Sequence, residues 1–314
     1  MRILALVPGG VDEQILFFPT LEDLKKQYPK ATIDVIVEPH AKSAYRVCPY
    51  VNEVLLFDYR DRNGLADYLN LLGIIRDREY DMALSWSQRW TIAMLLWLNG
   101  ILVRIGYQNQ VSWFLTKSIP LKTKQYAAYK YHDLLQGLGL QSPCPELKVT
   151  LSKEDINWVE TEQKRLDIKE SGYILIYDCF PESEKTYSVV KWRKIIEDIQ
   201  QKQPNLSIVL LQSFENTQWV SKMLEGQPSF KVTNPPDVGK IAGIIAGANL
   251  MLCTDSVPLQ LSVAVGTYTI ALLNSAEAIE HLPPNSERSI GILSPTQKVA
   301  DIEFESILQQ MWRS

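Results

Sequence analysis

Cysteine and histidine are scarce in this chain, with four cysteines and three histidines among 314 residues. Cys48, Cys144, Cys179 and Cys253 are scattered, with no Cys-x-x-Cys pair. His40, His132 and His281 stand at no metal-ligand spacing to them, which argues against a structural zinc site. Isolated thiols of this kind suit buried positions in a reducing compartment. A basic excess is also lacking: 32 Lys and Arg against 36 Asp and Glu give a net charge of −4, which argues against a general nucleic-acid binder. The opening residues Met1–Val7 lack the long apolar region and cleavage site of a signal peptide and read as a strand. The most apolar stretch, Trp90 to Val103, is interrupted by Asn99-Gly100 and is shorter than the roughly 20 residues of a membrane helix. It reads as a buried helix, a turn and a strand, and residence in the cytoplasm is the expectation. No P-loop, no Gly-x-Gly-x-x-Gly after the first strand and no Asp-x-Asp occurs. ATPase, dinucleotide-dehydrogenase and metal-dependent sugar-transfer readings are therefore poor.

What is present is ordinary globular material, 46% hydrophobic and 22% charged. The length exceeds what one core organises, so two domains are expected. In the first half, strands at Ile3–Val7, Thr32–Val37, Glu53–Phe57, Met82–Trp86 and Val103–Tyr107 alternate with helices at about Glu13–Gln27 and Leu65–Arg78. Pro143 and Pro145 break the pattern, and Gln141–Glu146 reads as a linker.

The second half repeats the scheme. Helices are predicted at Ser152–Ile168 (capped by Ser152), Val190–Gln203, Asp237–Ala248 and Pro258–Val265, with a closing helix at Thr296–Trp312 capped by Ser294 or Thr296. Strands are predicted at Tyr173–Tyr177, Leu206–Leu211, Leu250–Cys253 and Tyr268–Leu273. Strands separated by helix-length segments imply βαβ units and parallel sheets. The expected fold is α/β, with two Rossmann-like doubly wound domains, 1–145 and 146–314, facing a cleft. The terminal helix is free to pack back on the first domain. Ligands of such sheets bind beyond the carboxyl ends of the strands.

Several segments, in order, resemble the glycosyltransferases of family 9, the ADP-heptose:lipopolysaccharide heptosyltransferases. Arg2–Pro19 followed by Leu24-Lys25-Lys26-Gln27-Tyr28-Pro29 resembles their opening. Cys48-Pro49-Tyr50-Val51-Asn52-Glu53-Val54 is similar to Asn-Pro-Tyr-Val-Asp-Glu-Val, Tyr80-Asp81-Met82-Ala83-Leu84 to Tyr-Asp-Val-Ala-Ile, and Arg104-Ile105-Gly106-Tyr107 to an Arg-x-Gly-Tyr strand end. His132 stands where the family often has a histidine. Later, Glu184-Lys185-Thr186-Tyr187 resembles Ser-Lys-Arg-Trp. Thr254-Asp255-Ser256-Val257-Pro258-Leu259-Gln260-Leu261 resembles Asn-Asp-Ser-Gly-Pro-Met-His-Leu, followed by Gly266-Thr267. The resemblance spans nearly the whole chain and implies the GT-B architecture. It also implies an inverting, metal-independent transfer of a sugar, heptose or a relative, from a nucleotide-diphosphate donor. ADP-sugar is the implied donor and a glycan or lipid-linked molecule the implied acceptor, with peripheral contact at the inner membrane and no nucleic-acid partner. No cofactor is implied, since the nucleotide-sugar is a substrate.

By resemblance Glu13 falls on the catalytic carboxylate, which would take the acceptor's proton. At a helix N-terminus such a carboxylate is expected to stay ionised with lowered basicity; the alternative is an ordinary first-turn acid. Asp12 competes as a helix cap or an acceptor-side group. Lys185, with Thr186 beside it, would meet the diphosphate as negative charge grows on it, or be a solvated loop lysine. Asp255 and Ser256 would bind sugar hydroxyls and phosphate at a helix start, or simply cap it. Val257 replaces a glycine and Gln260 a histidine, and Asn274-Ser275-Ala276-Glu277 replaces a Gly-Pro turn, with Asn274 and Ser275 retaining donors. These departures leave open a binding or assembly protein that keeps the fold without catalysis. Lys122 and Lys124, in a basic, aromatic stretch from Trp113 to Tyr131, are acceptor-side candidates, or belong to a snorkelling amphipathic surface.

Overall fold

The computed structural model describes residues 1–59, 64–109, 112–169, 171–179, 184–226 and 230–312. They form two compact units, Met1–Lys148 and Val149–Ser314. The first contains, in order, β1 (Arg2–Leu6), α1 (Val11–Gln27), β2 (Thr32–Val37), a 3-10 stretch Pro39–Val47, β3 (Glu53–Leu56), α2 (Leu65–Arg78), β4 (Met82–Ser85), α3 (Trp90–Leu98), β5 (Val103–Tyr107), a 3-10 turn Ser112–Phe114, β6 (Lys117–Ile119), α4 (Ala127–Asp133) and a 3-10 turn Leu134–Leu138. The second contains α5 (Lys153–Arg165), β7 (Tyr173–Tyr177), α6 (Val189–Lys202), β8 (Ser207–Leu211), α7 (Thr217–Leu224), β9 (Lys231–Thr233), α8 (Val238–Ala246), β10 (Leu250–Thr254), α9 (Val257–Val265), β11 (Thr269–Leu273), a 3-10 turn Ala278–His281, β12 (Ser289–Leu293), a 3-10 turn Val299–Asp301 and α10 (Phe304–Met311).

Each unit holds a six-stranded sheet, ordered β3-β2-β1-β4-β5-β6 in the first and β12-β11-β10-β7-β8-β9 in the second. Read from its own first strand, each order is the same dinucleotide-fold order, 3-2-1-4-5-6. Pairing is parallel, as Ile3↔Ile33 and Ile3↔Met82 illustrate around β1, and Ile174↔Leu250 and Ile174↔Ile208 around β7. The central strands β7 and β10 are buried at every position. That is why they read as continuous apolar runs and not as alternating ones. In the first unit Leu4, Leu6, Ile36 and Ala83 meet Leu71, Ile75, Ile92 and Leu95 of the helices. In the second, Ile174, Ile176, Leu210 and Leu252 meet Trp192, Ile195, Trp219 and Ile307.

Several elements depart from expectation. β6, β9, β12 and α7 are strands and a helix not foreseen in the sequence. The closing helix is also shorter than Thr296–Trp312. Ser294 and Thr296 do have capping chemistry, but they close a loop with it. The Thr296 amide donates to Ser294 Oγ at 3.2 Å, and Thr296 Oγ1 donates to Asp301 Oδ2 at 2.7 Å. The helix starts only at Phe304, and its Ile307 and Met311 enter the second unit's core.

Candidate functional site

In sheets of this order the loops after strands 1 and 4 diverge, opening a crevice at the carboxyl edge. In the first unit these are the loops after β1 and β4. Pro8-Gly9-Gly10 carries the chain from β1 into α1. Gly9 has φ +115, and a Cβ there would stand 3.0 Å from Glu13 Cδ. Only glycine fits both the left-handed backbone and the carboxylate folded over it. Gly10 is the N-cap of α1, and its amide donates to Glu13 Oε2 at 2.7 Å. The cap expected of Asp12 is thus supplied by Glu13, one residue later and long enough to reach back. Gln14, missed in the sequence, is wholly buried and fixes the start of the helix. Its Nε2 donates to the Val7 carbonyl at 3.1 Å, and Tyr45 donates to its Oε1 at 2.7 Å.

The electrostatics at Glu13 reverse the expectation of lowered basicity. Burial and a hydrogen bond to the neighbouring Asp12 carboxylate raise the Glu13 carboxyl to about 7, and the Gly10 amide offsets this only partly. Desolvation and a like charge one residue away outweigh the helix N-terminus. Tyr131 of α4 lies within reach of both charges; burial, then Glu13 and Asp12, hold its hydroxyl protonated. Its ring packs with Phe17 and with Trp86 at the end of β4, centroids 6.1 and 5.8 Å away. Glu13, Asp12, Trp86 and Tyr131 are therefore one neighbourhood. Lys122 and Lys124 are exposed in the chain leading to α4, and Lys122 pairs with Asp133 at 3.4 Å.

In the second unit the diverging loops follow β7 and β10. Asp255 and Ser256 close β10 and open α9. Asp255 is the meeting point of this edge: its Oδ2 accepts from Lys185 Nζ at 2.8 Å, and its Oδ1 lies 2.9 Å from His281 Nδ1. An ionised carboxylate only accepts, so His281 carries its proton on Nδ1. Burial alone would raise the Asp255 carboxyl, but His281 and Lys185 together hold it below the usual range. His281 escaped the sequence reading because a lone histidine far along the chain gives no signal. Gln260 is almost fully buried, and its Nε2 donates to the His281 carbonyl at 3.2 Å, which fixes the segment that brings the imidazole to Asp255.

The Lys185 segment is anchored on both sides. The Tyr187 amide donates to Asp178 Oδ2 at 3.0 Å, and the Val299 amide to the Glu184 carbonyl at 2.8 Å. Asp178, also missed, is fully buried at the end of β7 and accepts from Trp192 Nε1 at 2.7 Å and Thr254 Oγ1 at 3.3 Å. Burial drives its carboxyl up to about 7 against these donors. Thr186, next to Lys185, is half-buried. Ser256 Oγ donates to the Thr254 carbonyl at 2.8 Å. Pro258 at the second helical position has no amide to offer an anion. Asn274 and Ser275 follow β11, the strand next to β10, and Ser275 accepts the Ala278 amide that opens the 3-10 turn to His281. Lys185, Asp255, His281 and Gln260 thus form one connected set, with Ser256, Asn274 and Ser275 on the same edge of the sheet.

Two doubly wound units in tandem, each with its polar residues at the strand 1 and strand 4 ends, make this a GT-B-type α/β protein. The family model for glycosyltransferase family 9 (heptosyltransferase) matches residues 69–311, and the chain belongs to that family. It is 24% identical to the photosynthetic NDH subunit of subcomplex B 1, chloroplastic, of Arabidopsis thaliana, over 99% of this chain and 73% of that protein. It is 21% identical to lipopolysaccharide heptosyltransferase 3 of Escherichia coli, over 85% of this chain and 82% of that protein. Among solved structures, a family 9 glycosyltransferase from Veillonella parvula DSM 2008 superposes with a TM-score of 0.85 at 16% identity, over 98% of this chain and 95% of that one, which shows the shared fold.

Proposed function

We propose that the protein transfers a sugar, heptose or a relative, from a nucleotide-diphosphate donor to a glycan or lipid-linked acceptor by single, inverting displacement without a metal. The observation that carries this reading is the Glu13 carboxyl held at about 7 at the end of β1. A general base works best with a pKa near the working pH, and an ordinary surface glutamate is too weak. The acceptor hydroxyl oxygen bonds to the anomeric carbon as its proton passes to Glu13. The bond from that carbon to the β-phosphate oxygen breaks, and the nucleoside diphosphate leaves with the electron pair. Tyr131 stays neutral beside the carboxylate pair, and Asp12 keeps Glu13 basic. In the second unit, Lys185 stabilises the charge that grows on the leaving group, and Asp255 holds Lys185 ready. Ser256, Asn274, Ser275 and Thr186 line the donor side, while Gln260 acts through His281. Lys122 and Lys124 serve the acceptor side. ADP is the nucleotide of choice by family, and the protein would work on the cytoplasmic side.

A second reading is a binding or assembly protein without turnover. It is favoured by the similarity across almost the whole chain to a subunit of the photosynthetic NDH complex. Melting curves in the presence of ADP-, GDP- and UDP-sugars separate the two. A rise with one donor, lost in Lys185→Ala, supports the transferase. Unchanged melting with all three would leave the assembly reading in its place.

A further inference from the structure

A cavity of about 580 Å³ opens on the first unit between α4, the Leu134–Leu138 turn and residues 140–144. None of the residues proposed for sugar transfer lines it. Gln125, Gln136 and Gln141 bring amides to its wall, Tyr129 a ring and a hydroxyl, His132 an imidazole and Asp133 a carboxylate. These groups are held in place. Asp133 is buried; its Oδ1 accepts from Gln136 Nε2 and its Oδ2 from Gln125 Nε2, both at 2.7 Å, and Lys122 balances its charge at 3.4 Å. Each glutamine spends one N–H on Asp133 and keeps a carbonyl oxygen and a second N–H. Behind them, Asp23 of α1 accepts from Ser142 and lies 2.9 Å from His132 Nε2. The Asp23 carboxylate only accepts, so His132 carries its proton on Nε2. That leaves Nδ1 as an acceptor without a partner among the described residues, on a side chain buried to 8% exposure. Polar groups this deep are ordinarily paired, which points to a hydrogen-bonding ligand.

We propose that this cavity is a carbohydrate-binding site for one or two sugar rings, separate from the place of sugar transfer. The wall excludes the other ligand classes in turn. No lysine or arginine lines it, so a phosphate finds no cation. Its one carboxylate, Asp133, already accepts from three donors, so a cation finds no open counter-charge. An apolar molecule would leave the amides and the imidazole unpaired, at a cost for each. Sugar hydroxyls fit, because each both donates and accepts, and two neighbouring hydroxyls can engage both atoms of one side-chain amide. Tyr129, 37% exposed, offers a ring to the C–H face of a sugar, and the buried Tyr126 steadies it edge-on at 5.3 Å. A nucleobase would want a flat slot between two faces, and Tyr129 is the one large aromatic ring in the wall. The volume lies in the ordinary range for small-molecule sites, roughly 300–1,000 Å³. The site does not rest on the transferase reading. It serves equally a transferase that must hold a long glycan and an attachment protein without turnover.

The test is saturation-transfer NMR and calorimetric titration of the full chain with the methyl glycosides of glucose, galactose and mannose and with maltose. Adenosine and spermidine stand for the rival chemistries. The expected result is binding of at least one sugar with a Kd on the order of 1 mM, and none of adenosine or spermidine. Gln136→Ala, an exposed change that leaves the core untouched, is expected to weaken binding about three- to tenfold. Adding Gln125→Ala is expected to bring the loss to at least about tenfold. Glu13→Gln and Lys185→Ala should bind the sugar as before, which separates this site from the transfer site. No response to any of the sugars up to about 20 mM would overturn the proposal. So would sugar binding that the glutamine changes leave unaltered and Glu13→Gln or Lys185→Ala removes, or binding of adenosine or spermidine in place of the sugars.

Discussion

Asp255 offers its two oxygens to two different side chains, Oδ2 to the Lys185 ammonium and Oδ1 to the His281 imidazole, at 2.8 and 2.9 Å. The lysine comes from the segment after β7 and the histidine from the turn after β11, so one buried carboxylate gathers two distant stretches of chain. In the proposed transferase this arrangement has a definite consequence. A diphosphate arriving at Lys185 competes with Asp255 for the ammonium, and the carboxylate keeps its second partner when the first is shared.

Lys185→Ala should therefore weaken donor binding more than it weakens the fold. Loss of one charged phosphate contact is worth about 1.5–3 kcal/mol, roughly ten- to a hundredfold in Kd. Calorimetric titration with the ADP-sugar that raises the melting temperature measures it. An unaltered Kd would remove Lys185 from the donor site.

Glu13→Gln should abolish most turnover while leaving donor affinity intact. In the unaltered protein, kcat/KM should fall on the acid side with a midpoint near 7, because Glu13 must lose its proton to act as base. Asp12→Asn removes the like charge and one hydrogen-bond acceptor, so it should move that midpoint downward. A pH–rate profile of the two proteins reads the difference directly.

The same carboxyl should be visible in stability. Its folded-state pKa, about 7, lies above the ordinary 4.5. Folding therefore takes up a proton between those values, and stability is greatest below them and declines as pH rises through 7. Because the group is only partly buried, the loss is on the order of 1–2 kcal/mol. Glu13→Gln should flatten that decline in urea melts at pH 5 to 8.

Gly9→Ala tests the turn that folds Glu13 back. The substitution meets both a positive φ and a side chain 3.0 Å away. A cost of about 2 kcal/mol or more is expected, with activity lost even where the protein remains folded, since Glu13 must move to make room. Melting and turnover of the variant report the two effects separately.

Asp23, on α1 and paired with His132 of α4, gives a prediction away from either edge. It accepts from Ser142 and lies 2.9 Å from His132 Nε2. Burial alone would raise its carboxyl, but these hydrogen bonds hold it below the ordinary range. Its contribution is present above about 4 and lost as pH falls below that value. Asp23→Ala, which strands the buried His132 and the half-buried Ser142, should cost about 2–4 kcal/mol in a denaturant titration.

How far these features can be read from the residues follows from burial. Strands packed on both faces announce themselves: Tyr173–Tyr177 is apolar or aromatic along its length, and Thr32–Val37 is interrupted only by Thr32 and Asp34. β6 and β9 are three residues long at sheet edges, with lysine at their starts, and carry no such pattern. β12 is split by Gly291, where a Cβ would stand 2.9 Å from the methyls of Leu273 and Leu282. Its glycine reads as a loop until the neighbouring strand and turn are known. Resemblance points to Glu13 and Lys185 as candidates, but not to their state. The proton affinity of Glu13 depends on dehydration, which the order of residues does not display. His281 and Asp178 matter only because the fold brings β10 beside both β7 and β11.

The repeated 3-2-1-4-5-6 order has one more implication. In each sheet the chain turns back past its first strand, so the candidate site residues sit on connections at the carboxyl edge and not on the strands themselves. A superposition at TM-score 0.85 with 16% identity shows how little sequence identity the architecture demands. Chemistry can thus be rewritten by a few changes in the loops after β1, β4, β7 and β10. A chain of this architecture can trade one ligand for another, or turnover for mere attachment, without refolding.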